Sequence, residues 1–103
     1  MNRADLPPKL IGEVKIYTFD FTSDLAVSET ISTQTVTATV YSGTDASPSS
    51  VVSGSATASG AVVSQVITGG TLGVIYELIC QITTSTSQTL RQIGFLAVVP
   101  DEP

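Results

Sequence analysis

The chain has 103 residues, 42% hydrophobic and 13% charged, with a formal net charge of −5; that suits one domain with a two-layer core. Its four basic residues form no cluster, which argues against nucleic acid and anionic membrane surfaces as partners, since both need concentrated positive charge. Histidine is absent and cysteine occurs once, so Ser-His-Asp and Cys-His catalysis, zinc sites that need imidazole or four thiolates, and an internal disulfide are excluded.

Residues 1–9 precede any periodic segment and close on Leu6-Pro7-Pro8-Lys9. Two adjacent prolines favour an extended conformation and remove backbone donors. We expect residues 1–9 to form an extended N-terminal arm whose Leu6, Pro7, Pro8 and Lys9 meet a partner. The sandwich domain is expected over residues 10–100, and residues 101–103 form an acidic tail. No apolar leader region opens the chain, no run approaches the roughly eighteen apolar residues of a membrane span, and a cytosolic folding compartment fits a single cysteine.

Over residues 14–21, Tyr17, Phe19 and Phe21 alternate with Thr18 and Asp20, which predicts a strand with its aromatic face inward. Residues 23–31 break the alternation and read as a connection anchored by Leu25 and Ile31. Residues 35–41 alternate most cleanly, Val36, Ala38 and Val40 against Thr35, Thr37 and Thr39; a half-buried strand follows. Residues 42–50 are a loop by composition. Two short β-prone runs, 51–58 and 61–68, are joined by the hairpin signal Ser59-Gly60. The small residues Gly54, Ala56 and Ala58 in the first run mark a thin edge strand or a close approach by another chain.

Gly69-Gly70-Thr71-Leu72-Gly73 then turns the chain into its longest strand signal. Val74, Tyr76, Leu78, Cys80 and Ile82 share one face, while Ile75 and Ile79 on the other face place this strand mid-sheet. Tyr76, just after the turn, resembles the tyrosine corner of β-sandwiches, whose hydroxyl bonds a backbone group upstream. Gly70 and Gly73 belong to the turn. This glycine cluster lacks the phosphate-loop lysine and leads into a strand, so it is no phosphate cradle. Cys80, in the apolar register, reads as a buried core residue. A Ser/Thr-rich turn at 84–88 and a strand over 89–99, stopped by Pro100, complete an antiparallel sandwich of about seven strands.

Asp20, Asp24 and Glu29 lie close in sequence, but their spacing is not that of an EF-hand, and so short a chain leaves little room for a substrate cleft. No catalytic residue, metal ligand or cofactor is assigned.

Taken together, Leu6-Pro7-Pro8-Lys9, Glu13-Val14, Tyr17, Asp20-Phe21, Leu25, Ile31, Thr68-Gly69-Gly70, Gly73, Tyr76 and Ile82-Thr83-Thr84 form an ordered pattern. It resembles a family of small tailed-phage and prophage proteins, with Phe21 where that family usually has Trp. The resemblance spans nearly the whole chain. It implies an all-β protein, a single immunoglobulin-like antiparallel β-sandwich with an extended N-terminal arm. It also implies a non-enzymatic structural component of the virion, made in the host cytoplasm. Such a component acts as an adaptor attaching fibres or other appendages at the tail or neck. Its partners are other virion proteins and copies of itself, and it needs no cofactor. The alternative is capsid decoration or a host-surface carbohydrate-binding module, the latter working through the loops at 42–50 and 84–88, which carry no aromatic residue.

Overall fold

Alternation of apolar and hydroxyl side chains builds two sheets whose apolar faces close on each other. The computed structural model describes residues 2–6 and 8–100, with the backbone course alone for residues 2–5. Eight strands run through the described residues: β1 (Asn2–Asp5), β2 (Lys9–Leu10), β3 (Lys15–Asp20), β4 (Ile31–Ser42), β5 (Val52–Ser59), β6 (Val62–Ile67), β7 (Ile75–Thr84) and β8 (Thr89–Val99). A single 3-10 turn, Pro48–Val51, interrupts the β4–β5 connection. One sheet has the order β1-β8-β7-β4, with β2 also on β8; the other has the order β3-β6-β5.

The expected strands appear with their predicted inward faces. Tyr17, Phe19 and Phe21 are buried, as are Val36, Val74, Tyr76, Leu78, Cys80 and Ile82, while Val40 is partly buried against the same core. From the opposite layer come Val63 and Ile67, and from β8 come Leu96 and Val98. β7 lies between β4 and β8, so Ile75 and Ile79 do face outward from a mid-sheet strand, half-covered by neighbouring side chains. Leu25 and Ile31 pack on the core edge.

Gly70 has φ +95°, and a Cβ there would lie 2.9 Å from Val98 Cγ2 and 3.6 Å from the Tyr76 ring. It is therefore required twice over, for the left-handed backbone and for the close approach. Gly73, at φ +84°, has open space around it, so only its conformation demands glycine.

Two features depart from an antiparallel sandwich with a separate arm. β1 pairs in parallel with β8, Asn2 opposite Gln92 through Asp5 opposite Phe95, and β2 pairs in parallel with it further on, Lys9 opposite Val98 and Leu10 opposite Val99. The sheet is mixed, and the expected boundary between residues 9 and 10 falls inside β2. The physical reason is that β8 offers an unpaired edge, and an extended segment covers it.

Candidate interaction surfaces

Of the residues expected to form a projecting arm, Leu6 and Lys9 are placed on the chain's own sandwich. Leu6 N–H donates to Phe95 O at 2.8 Å, and its side chain packs on the core. Lys9 is fully buried; its ammonium donates to Gly69 O at 2.8 Å and Leu10 O at 3.2 Å. Burial holds the Lys9 pKa below its ordinary value, opposed by the nearby Glu13 carboxylate. Glu13 Oε1 also accepts from Leu10 N–H at 2.8 Å. Pro8 is exposed, and Pro7 falls outside the described residues. Where the segment crosses to the second sheet, Leu10, Ile11, Val14 and Ile16 remain exposed, the last two by about two-thirds.

β7 is fastened at both ends by side chains from distant loops. At its start, the Tyr76 hydroxyl accepts from Thr71 N–H at 2.7 Å, the upstream backbone contact expected of a corner tyrosine. It donates in turn to Asp45 Oδ2 at 2.6 Å. Asp45 Oδ1 accepts from Ser47 N–H at 2.8 Å, so one carboxylate ties the β4–β5 loop to the glycine turn. The Tyr76 bond, then the Ser47 bond, lower the Asp45 pKa; burial, then Asp45, raises that of Tyr76. At the other end, Glu29 Oε2 accepts from Thr86 Oγ1 and Oε1 accepts from Ala26 N–H at 2.9 Å. Ser85 N–H donates to Thr30 O at 2.8 Å, closing the same clasp.

The third feature is the flank where the edge strands β4 and β5 meet. β5 opposes β6 regularly at Ser53–Val66 and again at Thr57–Ser64, so residues 54–56 bulge opposite Gln65 alone. Gly54, with φ +72°, permits the bend. Gln65 is buried, and its Nε2 donates to Ser53 O at 2.9 Å, Val66 O at 3.0 Å and Gly54 O at 3.3 Å. Three carbonyls around one nitrogen fix the amide's orientation, which leaves Oε1 buried with no partner among the described residues. A cavity of about 160 Å³ opens on this flank, lined by Gln34, Thr35, Val36, Gly54, Ser55, Ala56 and Gln65. Gln34 Nε2 crosses this flank to donate to Ala56 O at 3.1 Å.

The three acids considered as metal ligands are each engaged by protein donors. Asp20 Oδ1 accepts from Thr22 N–H at 2.8 Å, Asp24 Oδ2 accepts from Gln92 Nε2 at 3.3 Å, and Glu29 forms the clasp above. Among the described residues no group of three or more His, Cys, Asp or Glu is placed to share a metal ion. Cys80 is buried, and burial pushes its thiol up to about 12, which keeps it from acting as a thiolate. Among the described residues no helix is long and apolar enough to cross a membrane.

Sequence reasoning singled out Tyr76 and expected its hydroxyl to bond upstream backbone, and it considered Glu29 only as a metal ligand; it did not name the Tyr76–Asp45 bond, the Glu29 clasp or Gln65. The pattern Asp45-Ala46-Ser47 signals a local turn, though not a tyrosine partner. The only hint of Gln65 is a polar residue at an inward position between Val63 and Ile67.

The described residues thus define a two-layer β-sandwich whose buried polar side chains mostly bind its own loops together. A family model described as podophage GP4 fiber-tail adaptor protein gp77 matches residues 9–94, and the chain belongs to that family, in agreement with the resemblance read from its motifs. No curated protein and no solved structure matches it.

Proposed function

We propose that this protein is a non-enzymatic structural adaptor of a podophage particle that attaches fibres or other appendages to the tail. The observation that carries the reading is the family match over residues 9–94. The structure supports it in two ways. The exposed apolar run Leu10, Ile11, Val14 and Ile16 offers surface of the kind that protein contacts cover. The long strand edges offer unpaired backbone to neighbouring chains. Its partners are other virion proteins and further copies of itself, and its place is the virion. In finer detail the sandwich is immunoglobulin-like, with β7 as the strand that carries the corner tyrosine and the leading segment on the outer edge of β8.

The test is to delete its gene from the phage and purify particles. The expected result is loss of the fibre or appendage proteins from otherwise assembled particles, with wild-type particles containing this chain by mass spectrometry. Particles that lack the chain yet retain every appendage would overturn the proposal.

A further inference from the structure

The outer face of an antiparallel sheet in a two-layer sandwich is normally wet. On β4 it is: Thr35, Thr37 and Thr39 are exposed between buried Val36 and Ala38. On β7 and β8 it is not. The inward positions of β8 are taken by buried Gly94, Leu96 and Val98, and the outward ones between and beside them are Ile93, Phe95, Ala97 and Val99, all half-buried. β7 likewise turns Ile75 and Ile79 outward between buried Tyr76, Leu78 and Cys80. In the ladder Ile79 stands opposite Ile93 and Ile75 opposite Ala97, so these side chains form one continuous apolar surface. Tyr41, 60% exposed, extends it, its ring tilted onto Phe95 with centroids 4.6 Å apart. Strands apolar on both faces are those that a further layer covers.

Two charges mark what that layer carries. Among the outward positions of β7 and β8, only Glu77 and Arg91 are charged. Glu77 stands opposite Phe95 and Arg91 opposite Gln81, in the rows on either side of Ile79 and Ile93. Among the described residues neither the carboxylate nor the guanidinium has a hydrogen-bond or ion-pair partner. Glu77 is half-buried among the apolar side chains, and covering an unpaired carboxylate with apolar surface is costly. A chain that covers this face therefore brings a cation to Glu77 and, two rows or roughly 13 Å along the strands, an anion to Arg91.

We infer that a second copy of this chain packs face to face on the outer side of β7 and β8. A two-fold axis lying along the Ile79–Ile93 row sets those two side chains over their own counterparts. The same rotation lays the row of Glu77 and Phe95 over the row of Gln81 and Arg91, in both directions at once. Glu77 of each copy then meets Arg91 of the other across an offset of one strand, about 4.8 Å, which the arginine side chain spans. One face carrying both charges, placed symmetrically about an apolar row, is the self-complementary surface that a two-fold contact needs. This gives a surface to the self-association within the adaptor reading, and it holds whichever appendage the adaptor carries.

The experiment is sedimentation of the purified full chain over a range of concentrations. The wild-type chain should pass from monomer to dimer. Ile79→Lys, at the centre of the face, should weaken the dimer about tenfold or more, while the melting midpoint measured where the dimer is dissociated moves little. If Ile79→Lys does not fold, Thr37→Lys, exposed in the same row opposite Ile79, takes its place. Glu77→Arg and Arg91→Glu should each weaken the dimer, and the two together, which exchange the signs, should restore it. A monomer at every concentration, a dimer indifferent to Ile79→Lys, or a double variant that does not recover overturns the inference and leaves the adaptor reading standing. Particles that lack this chain overturn the adaptor reading and leave the dimer.

Discussion

Gly94 of β8 leaves the hollow that Leu6 fills. A Cβ on Gly94 would lie 2.8 Å from both Leu6 Cδ1 and Leu6 Cγ, closer than carbon atoms pack. The leading segment is therefore seated by shape at one layer of the core, beside the ladder pair of Gly94 and Leu78. Gly94→Ala should lift this segment and leave the two sheets intact, because Leu6 sits on a segment free to move away. The expected cost is about 1–3 kcal/mol, the range for overpacked sites. Hydrogen exchange checks it: the Leu6 and Ile11 amides, bonded to Phe95 O and Val99 O, should exchange faster, while those of β7 stay protected.

Removing residues 1–10 should do more. It takes away the burial of Leu6, worth about 1.5–3 kcal/mol when complete, and bares the edge of β8 along residues 92–99. At roughly 4–8 °C per kcal/mol for a domain of this size, the melting midpoint should fall by about 10 °C. The newly bared edge should also make the truncated chain associate with rising concentration. A midpoint within about 3 °C of the full chain, and a monomer at all concentrations, would contradict the observed docking.

Tyr76→Phe keeps the ring and removes the hydroxyl that accepts from Thr71 and donates to Asp45. Leaving partners unmet in a partly buried place costs about 1–3 kcal/mol, whereas Tyr76→Ala, which empties the core position as well, costs about 3–5 kcal/mol. Urea titration of the two variants should show that order. Equal losses would mean that the hydroxyl carries no separate role.

Stability should fall on both sides of neutrality. Asp20, Glu29 and Asp45 are each held below the ordinary carboxylate value, chiefly by the hydrogen bonds of Thr22, Thr84 and Tyr76 respectively. A lowered folded pKa gives stability that is present above the unfolded value, near 4, and lost as pH falls through the folded one. Tyr17, pushed up to about 12 by burial, and Tyr76, raised also by burial, act oppositely. Their contribution is complete below the unfolded value near 10 and is lost as pH rises through the folded ones. With no histidine, the urea midpoint should change little between about pH 5 and 8. Tyr76→Phe should flatten the alkaline fall and part of the acid one.

Cys80 should be silent to thiol reagents in the folded protein and react with one equivalent in denaturant, since it is buried and its thiol is pushed up to about 12. Rapid labelling without denaturant would show that β7 opens locally.

The features legible in the sequence are those whose cause is local. Val36, Ala38 and Val40 against Thr35, Thr37 and Thr39 state which face is wet, and Tyr76 two residues into an apolar strand after a glycine turn states where its hydroxyl goes. The rest depends on residues far apart in the chain. Two prolines say that residues near Pro8 are extended, but only Gly94, close to the other end, says where that extended segment lies. Asp45 reads as a loop residue because its own turn with Ser47 is local, while its bond to Tyr76 is not. Gln65 follows the strand alternation correctly; the bulge at residues 54–56 that feeds its amide nitrogen and starves its oxygen has no mark beyond Gly54.

The pairing of Asn2 with Gln92 also orders events during synthesis. A ribosome releases the first of these residues long before the second, so the leading segment has nowhere to lie until β8 has emerged. Completion of the molecule is therefore a late step governed by a long loop closure, the kind of search that slows β-rich chains. Throughout that interval the β8 margin stands open to other extended polypeptides, against which β1 and β2 have the advantage of being tethered to it.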